Sequence, residues 1–317
     1  MYSTDMSATP QPGAPPVPVF LGNGWISLLS QTYYGHSVAL VPFGVVTISA
    51  HVPDNQLAGG NARGTGAVDL QTSRGLSSRV ASGNYSAIVG GADNTASGTH
   101  TVVGGSANTA SQTYAVALGQ NNTASASGAV ALGLGNTVSG TAAAALGQGN
   151  TASGNYSGVP WGFQATTRGL TGAYAWAYSQ RSALGDAQRI GMTQRVSTSA
   201  TSAATLTAGG AAASATNVLV LPNNSGAHFV ARVMAYRSAG GVGSWRVEGT
   251  IERGANAAST ALVGATTITT FGISASIGAP TVDVVADTTQ GAPVVQVTPA
   301  NTDATYWVAE LVLIQGA

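Results

Sequence analysis

The chain contains no cysteine and no lysine, and it has few charged residues of either sign. Its 317 residues include eleven arginines and eleven acidic residues, so that charged side chains make up 7% of the sequence and the formal net charge is zero. In an ordinary soluble domain about a quarter of the residues are charged. Solubility must therefore come from Ser, Thr, Asn and backbone polarity, and an isolated chain should associate readily.

These absences exclude several classes of protein. Without cysteine, disulfides do not hold the fold, and the sequence does not distinguish an oxidising from a reducing compartment. The neutral charge gives no electrostatic basis for binding nucleic acid. No run approaches eighteen apolar residues, and residues 1–18 have neither a basic region nor an apolar one. The sequence therefore predicts no membrane insertion and no secretory signal.

One short phrase recurs every fourteen residues between positions 84 and 161. It ends in Val-Ala-Leu-Gly or a close variant, and an Asn-Thr-Ala-Ser or Asn-Thr-Val-Ser phrase follows it in the same register. The repeated positions are Gly91, Gly105, Gly119, Gly133 and Gly147, the preceding Leu118, Leu132 and Leu146, and Asn94, Asn108, Asn122, Asn136 and Asn150. A flexible linker would not keep the same residues at a fixed spacing of fourteen, so the register argues against a linker.

The period predicts an all-β fold, a parallel β-solenoid with two short strands in each turn, because each half has about five β-favouring residues and a Gly or Asn turn. The apolar residues alternate, and the small ones suit a narrow bore. Equivalent asparagines should stack at the strand spacing of about 4.7 Å and form a ladder of hydrogen bonds. Glycine at the corner allows the positive φ of a tight turn.

These phrases resemble the head repeats of trimeric autotransporter adhesins and, equally, the same repeats in bacteriophage tail-fibre proteins. The resemblance covers about a quarter of the chain. It implies a left-handed parallel β-roll, three copies of which associate along a common axis as a homotrimer. The sequence shows no secretion signal, coiled-coil stalk or membrane anchor of an adhesin, which favours the phage protein. The shared motif is architectural and implies no catalytic residue.

Composition divides the rest of the chain. Residues 1–60 combine a proline-rich arm with an aromatic β segment that is too short for its own core, and they are predicted to anchor the protein to a partner. Residues 61–80 are predicted to connect this anchor to the β-roll at 81–190, and residues 191–216 to form a Ser/Thr/Ala/Gly-rich neck. Residues 217–317 alternate apolar and polar positions between turns, which predicts an antiparallel β-sandwich or jelly roll.

The roll has almost no charge. Asp93 is the only charged residue between Arg79 and Arg168. A solvated outer face would ordinarily carry charged residues that discourage edge pairing. The absence of charge predicts that neighbouring rolls cover this face in a trimer.

The sequence does not match the known signatures of catalytic or cofactor-binding sites. Gly133-x-Gly135 and Gly147-x-Gly149 superficially match a dinucleotide-binding loop, but no acidic residue follows at the required spacing and the chain has no lysine for a phosphate loop. The histidines lie in four separate segments, at His36, His51, His100 and His228. A polysaccharide hydrolase needs a pair of carboxylates across a groove, which the roll cannot supply. The sequence thus predicts no enzyme activity, no cofactor and no metal.

Two sets of side chains leave alternatives open. Acids of the C-terminal domain are candidates to converge on a cation, although solvated acids are more common; they are Asp283, Asp287, Asp303 and Glu310. Aromatic residues along and beyond the repeats are candidates to stack on sugars, although contacts between protomers are more common; they are Tyr85, Tyr114, Tyr156, Trp161, Trp176 and Tyr178.

Together these features predict a structural fibre of a tailed-phage virion, made in the host cytoplasm. Its N-terminus should join a tail, baseplate or adaptor protein, and its C-terminal domain should bind a host surface glycan or protein. A capsid fibre of similar build, a tailspike-like polysaccharide hydrolase and a bacterial surface adhesin remain alternatives. The loops at 223–226, 240–243, 255–259 and 287–291 are candidates for recognition, because varied polar loops on a rigid scaffold commonly carry binding.

Overall fold

The computed structural model describes residues 19–21, 25–27, 48–49, 51 and 53–316. The chain divides into two units, residues 1–45 and 46–317. In the first unit, strands β1 (Val19–Leu21) and β2 (Trp25–Ser27) pair antiparallel. The rest of the predicted anchor before position 48 lies outside the described residues. Within the described residues, the regular structure is strands and one three-residue 3-10 helix.

The second unit opens with a parallel β-solenoid. In chain order its strands are β3 (Ile48–Ser49), β4 (Val68–Asp69), β5 (Ala87–Ala92), β6 (Thr95–Ala96), β7 (Val102–Ser106), β8 (Thr109–Ala110), β9 (Val116–Gln120), β10 (Thr123–Ala124), β11 (Val130–Leu134), β12 (Thr137–Val138), β13 (Ala144–Gln148), β14 (Thr151–Ala152), β15 (Gly158–Val159) and β16 (Ala173–Trp176). The even-numbered strands β6 to β14 form one wall, named the short-strand wall, and the others form the long-strand wall. The predicted roll with two strands in each turn is confirmed.

Side chains alternate across the long-strand wall, as β geometry requires. Ala131 is fully buried in the bore, whereas Val130 and Leu132 on either side of it are half-buried on the outer face. Val130 pairs with Val116 and with Ala144, which places equivalent residues of successive turns in one row. The bore is therefore filled largely by alanine, and the larger aliphatic side chains form stripes outside it.

The solenoid starts earlier than the repeat indicates. Strands β3 and β4 pair in parallel with each other, and β4 pairs with β5, so residues 61–80 contribute to the coil rather than to a simple connector. Ile48 pairs with Val68 and Val68 with Ala87, so these turns are longer than fourteen residues. Because these turns do not have the fourteen-residue period, a search for the repeat does not find them, and the sequence alone indicates a connector there.

The long-strand wall continues into the C-terminal domain as one sheet, in the order β16, β17, β25, β19 and β20. The remaining elements are β17 (Arg189–Thr198), β18 (Ala204–Thr205), β19 (Ser225–Arg237), β20 (Val242–Arg253), the 3-10 helix η1 (Ala257–Ser259), β21 (Thr260–Leu262), β22 (Thr267–Ile273), β23 (Thr281–Asp287), β24 (Ala292–Thr298) and β25 (Thr305–Gly316). Strands β21 and β22 both pair with β20, and β18, β24 and β23 form a second, smaller sheet.

The two sheets enclose one apolar core. Phe229 and Trp245 of the main sheet belong to the same buried cluster as Val284 and Val295 of the smaller sheet. Trp245 also lies beside Trp307, with ring centroids 5.8 Å apart. This is the antiparallel β-sandwich that the alternating sequence predicts.

Residues 191–216 differ from the predicted neck. Most of β17 lies in this segment and pairs with β16 and β25 at the centre of the sheet, while β18 pairs with β24. Leu206 is fully buried. The apolar residues that mark β17 begin at Ile190 and Met192, on either side of the predicted boundary between the roll and the neck. The average composition of residues 191–216 therefore does not reveal the strand.

Candidate functional site

The repeated asparagines are buried one above another along the solenoid. Asn122 Nδ2 donates to Asn108 Oδ1 at 3.0 Å and to the carbonyl oxygens of Leu118 and Gly133 at 3.0 and 2.7 Å. Its Oδ1 accepts from the backbone N–H of Asn136 at 3.0 Å and from Asn136 Nδ2 at 3.1 Å. Each side chain thus satisfies backbone groups in its own turn and in the next, which joins the turns along the axis.

Glycine at the corner makes this ladder possible. Gly119 and Gly133 have φ values of +117° and +116°, which residues with a Cβ rarely adopt. A Cβ on Gly119 would overlap the carbonyl oxygen of Gly133 in the next turn, and the same overlap arises at Gly91 and Gly105. Close approach of the backbones brings this carbonyl within reach of the asparagine amide.

Two glutamines close the ends of the short-strand wall. Gln71 Oε1 accepts from the backbone N–H of Asn94 at 2.9 Å, and Gln71 Nε2 donates to the Asn94 carbonyl at 3.2 Å. At the other end, Gln188 Oε1 accepts from Thr166 N–H at 2.9 Å and its Nε2 donates to the Thr166 carbonyl at 3.0 Å. Each glutamine side-chain amide makes the two hydrogen bonds that the backbone of a further strand would make. Sequence reasoning missed both residues because they lie outside the repeat.

The C-terminal domain carries an open cleft of about 690 Å³. Its walls come from residues 224–226, from residues 252–254 with Ser259, and from Arg181, Asp186 and Ala187. Two of the four predicted recognition loops, 223–226 and 255–259, therefore meet here. The loop before β17 was not predicted to take part, because no local pattern connects it with residues 40 positions further along the chain.

The other two predicted loops, 240–243 and 287–291, do not line the cleft. The guanidinium of Arg253, whose Nη1 donates to the Leu221 carbonyl at 2.7 Å, lies directly against Gly291 of loop 287–291. That loop therefore approaches the cleft. Loop 240–243 joins β19 to β20 at the opposite end of their hairpin, where Ser276 Oγ donates to the Gly240 carbonyl at 3.0 Å.

Asp186 shapes one wall of the cleft. It is only 6% exposed, and its carboxylate accepts from the backbone N–H groups of Arg181 and Ala183, both at 2.7 Å, and from the hydroxyl of Ser182 at 3.0 Å. These donors, that of Arg181 first, hold the pKa of the Asp186 carboxyl well below its usual range. The carboxylate is thus ionised and engaged in holding its loop, so it is not a proton donor at neutral pH.

The four acids considered for a cation do not converge. Each has its own partner: the Thr266 hydroxyl for Asp283, the Thr289 backbone for Asp287, the Arg237 guanidinium for Asp303 and the Arg232 guanidinium for Glu310. In the part of the chain that the structure describes, no three histidine or acidic side chains lie close enough together to hold a metal ion.

A hydrogen-bonded group joins the roll to the sandwich. The Tyr174 hydroxyl donates to Glu310 Oε1 at 2.7 Å, and Arg232 Nη1 donates to Glu310 Oε2 at 2.7 Å. Burial, with the hydrogen bond to Glu310, raises the pKa of Tyr174 to about 12. The same hydrogen bond is the main cause that lowers the pKa of Glu310 below its ordinary value. The tyrosine ring lies over Gly191, where a Cβ would collide with it.

The aromatic residues singled out in the sequence are all exposed on the single chain, including Trp161, Trp176 and Tyr178. Tyr85 and Tyr114 stack on either side of His100, with ring centroids 5.3 Å apart in both pairs. His51 and His228 lie elsewhere in the fold, and His36 is outside the described residues.

A family model described as the YadA head domain repeat matches the chain twice, at residues 96–122 and 110–136. The solenoid carries adhesin-type head repeats. The matched span lies at the centre of the roll and includes Asn108, Asn122 and Asn136 of the ladder, so the similarity concerns its architecture.

Among solved structures, the chain is similar to the tailspike protein gp49 from Acinetobacter baumannii bacteriophage Fri1, a capsular polysaccharide depolymerase. The identity is 7%, the TM-score is 0.25, and the match covers 78% of this chain and 66% of that one. The chain thus spans slightly less than two thirds of the tailspike, and at this TM-score the likeness carries no argument about activity. No curated protein matches the chain significantly. Among the described residues, no helix has the length and apolar character needed to cross a membrane.

Proposed function

We propose that this protein is a structural fibre of a tailed-phage virion, attached through its N-terminal residues and binding a host surface through its C-terminal domain. The observation that carries the proposal is the sheet that runs without interruption from the adhesin-type repeats into the sandwich. A continuous hydrogen-bonded sheet makes a stiff shaft. The sandwich presents varied loops at one end, which suits recognition.

Three chains should form the shaft. Val116, Leu118, Val130 and Leu132 form adjoining half-buried rows on the outer face of the long-strand wall. Leu146 extends the row in the next turn. Burying such rows against copies of the same chain removes apolar surface from water, at about 25 cal/mol for each Å² buried. A closed trimer gives every chain the same cover.

The cleft is the proposed contact with the host. Its walls offer the side chains of Asn224, Ser259, Glu252 and Arg253, a mixture of donors and acceptors suited to the hydroxyl groups of a glycan or to a protein loop. Glycan cleavage by paired carboxylates needs one acid that donates a proton. Asp186 is engaged with backbone N–H groups, so we propose binding without cleavage.

The test of recognition is a domain exchange with a fibre from a phage of different host range. Because β17 is a central strand, the exchange should begin at residue 189 rather than at 217. Adsorption is expected to follow the C-terminal domain, and exchange of residues 95–138 alone, with the cap residues kept, is the matched control. Adsorption that follows the roll would refute this assignment.

Anchoring is proposed for residues 1–60. Deletion of residues 1–45 removes the first unit and leaves the second one whole. The shortened protein should assemble normally and fail to join the virion. Gold labelling of the full-length fibre on intact particles would show whether it stands on the tail or on the capsid. Normal incorporation of the shortened protein would exclude residues 1–45 as the anchor.

The hydrolase alternative is tested with the host capsular polysaccharide and purified full-length protein. No new reducing ends are expected. If the wild-type protein cleaves the polysaccharide and the Glu252→Gln variant does not, the protein is instead a tailspike-like hydrolase that uses the cleft.

A further inference from the structure

One corner of the solenoid carries a column of seven residues with left-handed backbone. Each donates its backbone N–H to a carbonyl of the preceding turn at 2.8 to 3.0 Å, which fixes them in one row. All have φ between +51° and +66°. In order they are Tyr85, His100, Tyr114, Gly128, Ala142, Tyr156 and Gly172.

The first three residues of the column carry aromatic rings, one in each of three successive turns, and these rings form a stack. Tyr85 and His100 stack with an interplanar angle of 12°, and His100 and Tyr114 with an angle of 18°, in both cases with centroids 5.3 Å apart. The rings therefore lie roughly across the solenoid axis. One face of Tyr114 is covered by His100, and the other is directed towards the next two turns.

Those two turns carry almost no side chain at the corner. Gly128 has none and Ala142 has one methyl group, and Tyr156 stands in the following turn. At about 4.8 Å for each turn, the Tyr114 and Tyr156 corners are roughly 14 Å apart. The result is a notch, the Tyr114–Tyr156 notch, with a tyrosine at each end and a floor of Gly128 and Ala142. Both tyrosines are well exposed, at 62% and 69%.

A polar row runs beside the column. The residue before each corner is Thr113, Ser127, Thr141 or Asn155 along the notch, and Ser127 and Thr141 are exposed. No charged residue stands in the sequence between Asp93 and Arg168. Nucleic acid would need cationic groups for its phosphates, and an acidic glycan would gain from them as well.

We propose that the Tyr114–Tyr156 notch binds a neutral glycan. Pyranose rings present flat C–H faces that stack on exposed tyrosine rings, while their hydroxyl groups hydrogen-bond to Ser127 and Thr141. The roughly 14 Å between the two corners leaves room for one pyranose ring against each of the two tyrosine faces. This site lies on the shaft, far along the sequence from the cleft, and does not depend on the proposed host contact of the C-terminal domain.

The structure supplies a variant that fills the notch. Tyr85, Tyr114 and Tyr156 already adopt the corner backbone, so Ala142→Tyr should fold and assemble normally while placing a ring where the glycan would lie. Binding would be measured with the full-length protein on immobilised maltohexaose, cellohexaose, mannohexaose and a galactose hexasaccharide. At least one is expected to bind the wild type, and Ala142→Tyr should abolish that binding.

Further variants separate recognition from structure. Tyr114→Ala and Tyr156→Ala should each weaken binding roughly tenfold, as expected for the loss of one stacking contact. Tyr178→Ala removes an exposed tyrosine away from the column and should bind as the wild type does. Three results would each overturn the proposal: no binding of any of the four hexasaccharides by the wild type, undiminished binding by Ala142→Tyr, or a change of oligomeric state in Tyr114→Ala, which would make the tyrosine a contact between chains.

Discussion

Gln71 and Asn94 are joined by two hydrogen bonds in the pattern by which one β-strand joins the next. The side-chain amide of Gln71 takes the place of a peptide group beside Asn94, just before the first strand of the short-strand wall, while Val80 and Gly83 pair with Ala96 of that strand through their backbone. Exposed strand edges favour pairing with other chains. The glutamine therefore covers the part of this edge that the backbone of residues 80–83 does not reach and satisfies the backbone of Asn94.

Replacing this glutamine should loosen the end of the coil. In Gln71→Leu the N–H and carbonyl of Asn94 lose their partners, which should cost about 1–3 kcal/mol. Hydrogen exchange is expected to quicken around Thr95 and Ala96 and to stay slow in the central turns. Gln112→Leu, which changes an exposed glutamine, is the control. Equal exchange in both variants would show that Gln71 is dispensable.

The asparagine ladder should tolerate no gap. Asn122→Ala leaves the buried Asn136 backbone N–H without its acceptor and removes one donor each from the partly buried Leu118 and Gly133 carbonyls. A buried group left unpaired costs about 1–3 kcal/mol and each lost hydrogen bond about 1 kcal/mol, so the loss should amount to several kcal/mol per chain. Thermal unfolding measures it, with Gln120→Ala as the exposed control. A Tm within a few degrees of the control would contradict a structural role for the ladder.

A charge on the outer face of the long-strand wall should prevent assembly. Leu132 is half-buried on a single chain, and Leu132→Asp would place a carboxylate in the proposed interface, at a cost of several kcal/mol per chain. Thr137→Asp puts the same charge on the short-strand wall, where Thr137 is exposed. Mass photometry at micromolar concentration should show trimers for the control and monomers or aggregates for Leu132→Asp. Normal trimers of that variant would place the interface elsewhere.

The loop held by Asp186 should make stability depend on acid pH. Since the pKa of Asp186 in the folded protein is lowered from 3.8, its contribution is complete above that value and is lost as the pH falls through the lower folded-state pKa. Asp186→Asn should therefore lower the Tm at pH 7 and much less near pH 2. Glu252→Gln, in the same cleft, is the control. A difference in Tm that does not depend on pH would mean that the charge is unimportant.

The sequence by itself determined the solenoid, because a fourteen-residue period puts equivalent side chains at the strand spacing whatever the rest of the chain does. Asn108, Asn122 and Asn136 could be placed in one column, and glycine at the corners, from register alone. The alternation of apolar residues likewise determined the sandwich. In each case the information is local and repeated, so neighbouring turns or neighbouring residues are enough to show it.

Only the tertiary structure decided which distant residues meet. Gln71 and Gln188 bond to the two ends of the short-strand wall without belonging to the repeat, and β17 is a central strand because β25, more than a hundred residues later, pairs with it. The cleft joins Asp186 to Asn224 and Ser259 for the same reason. Such partners are chosen by long-range strand pairing and by the shape of the packed core, and the composition of a segment contains neither.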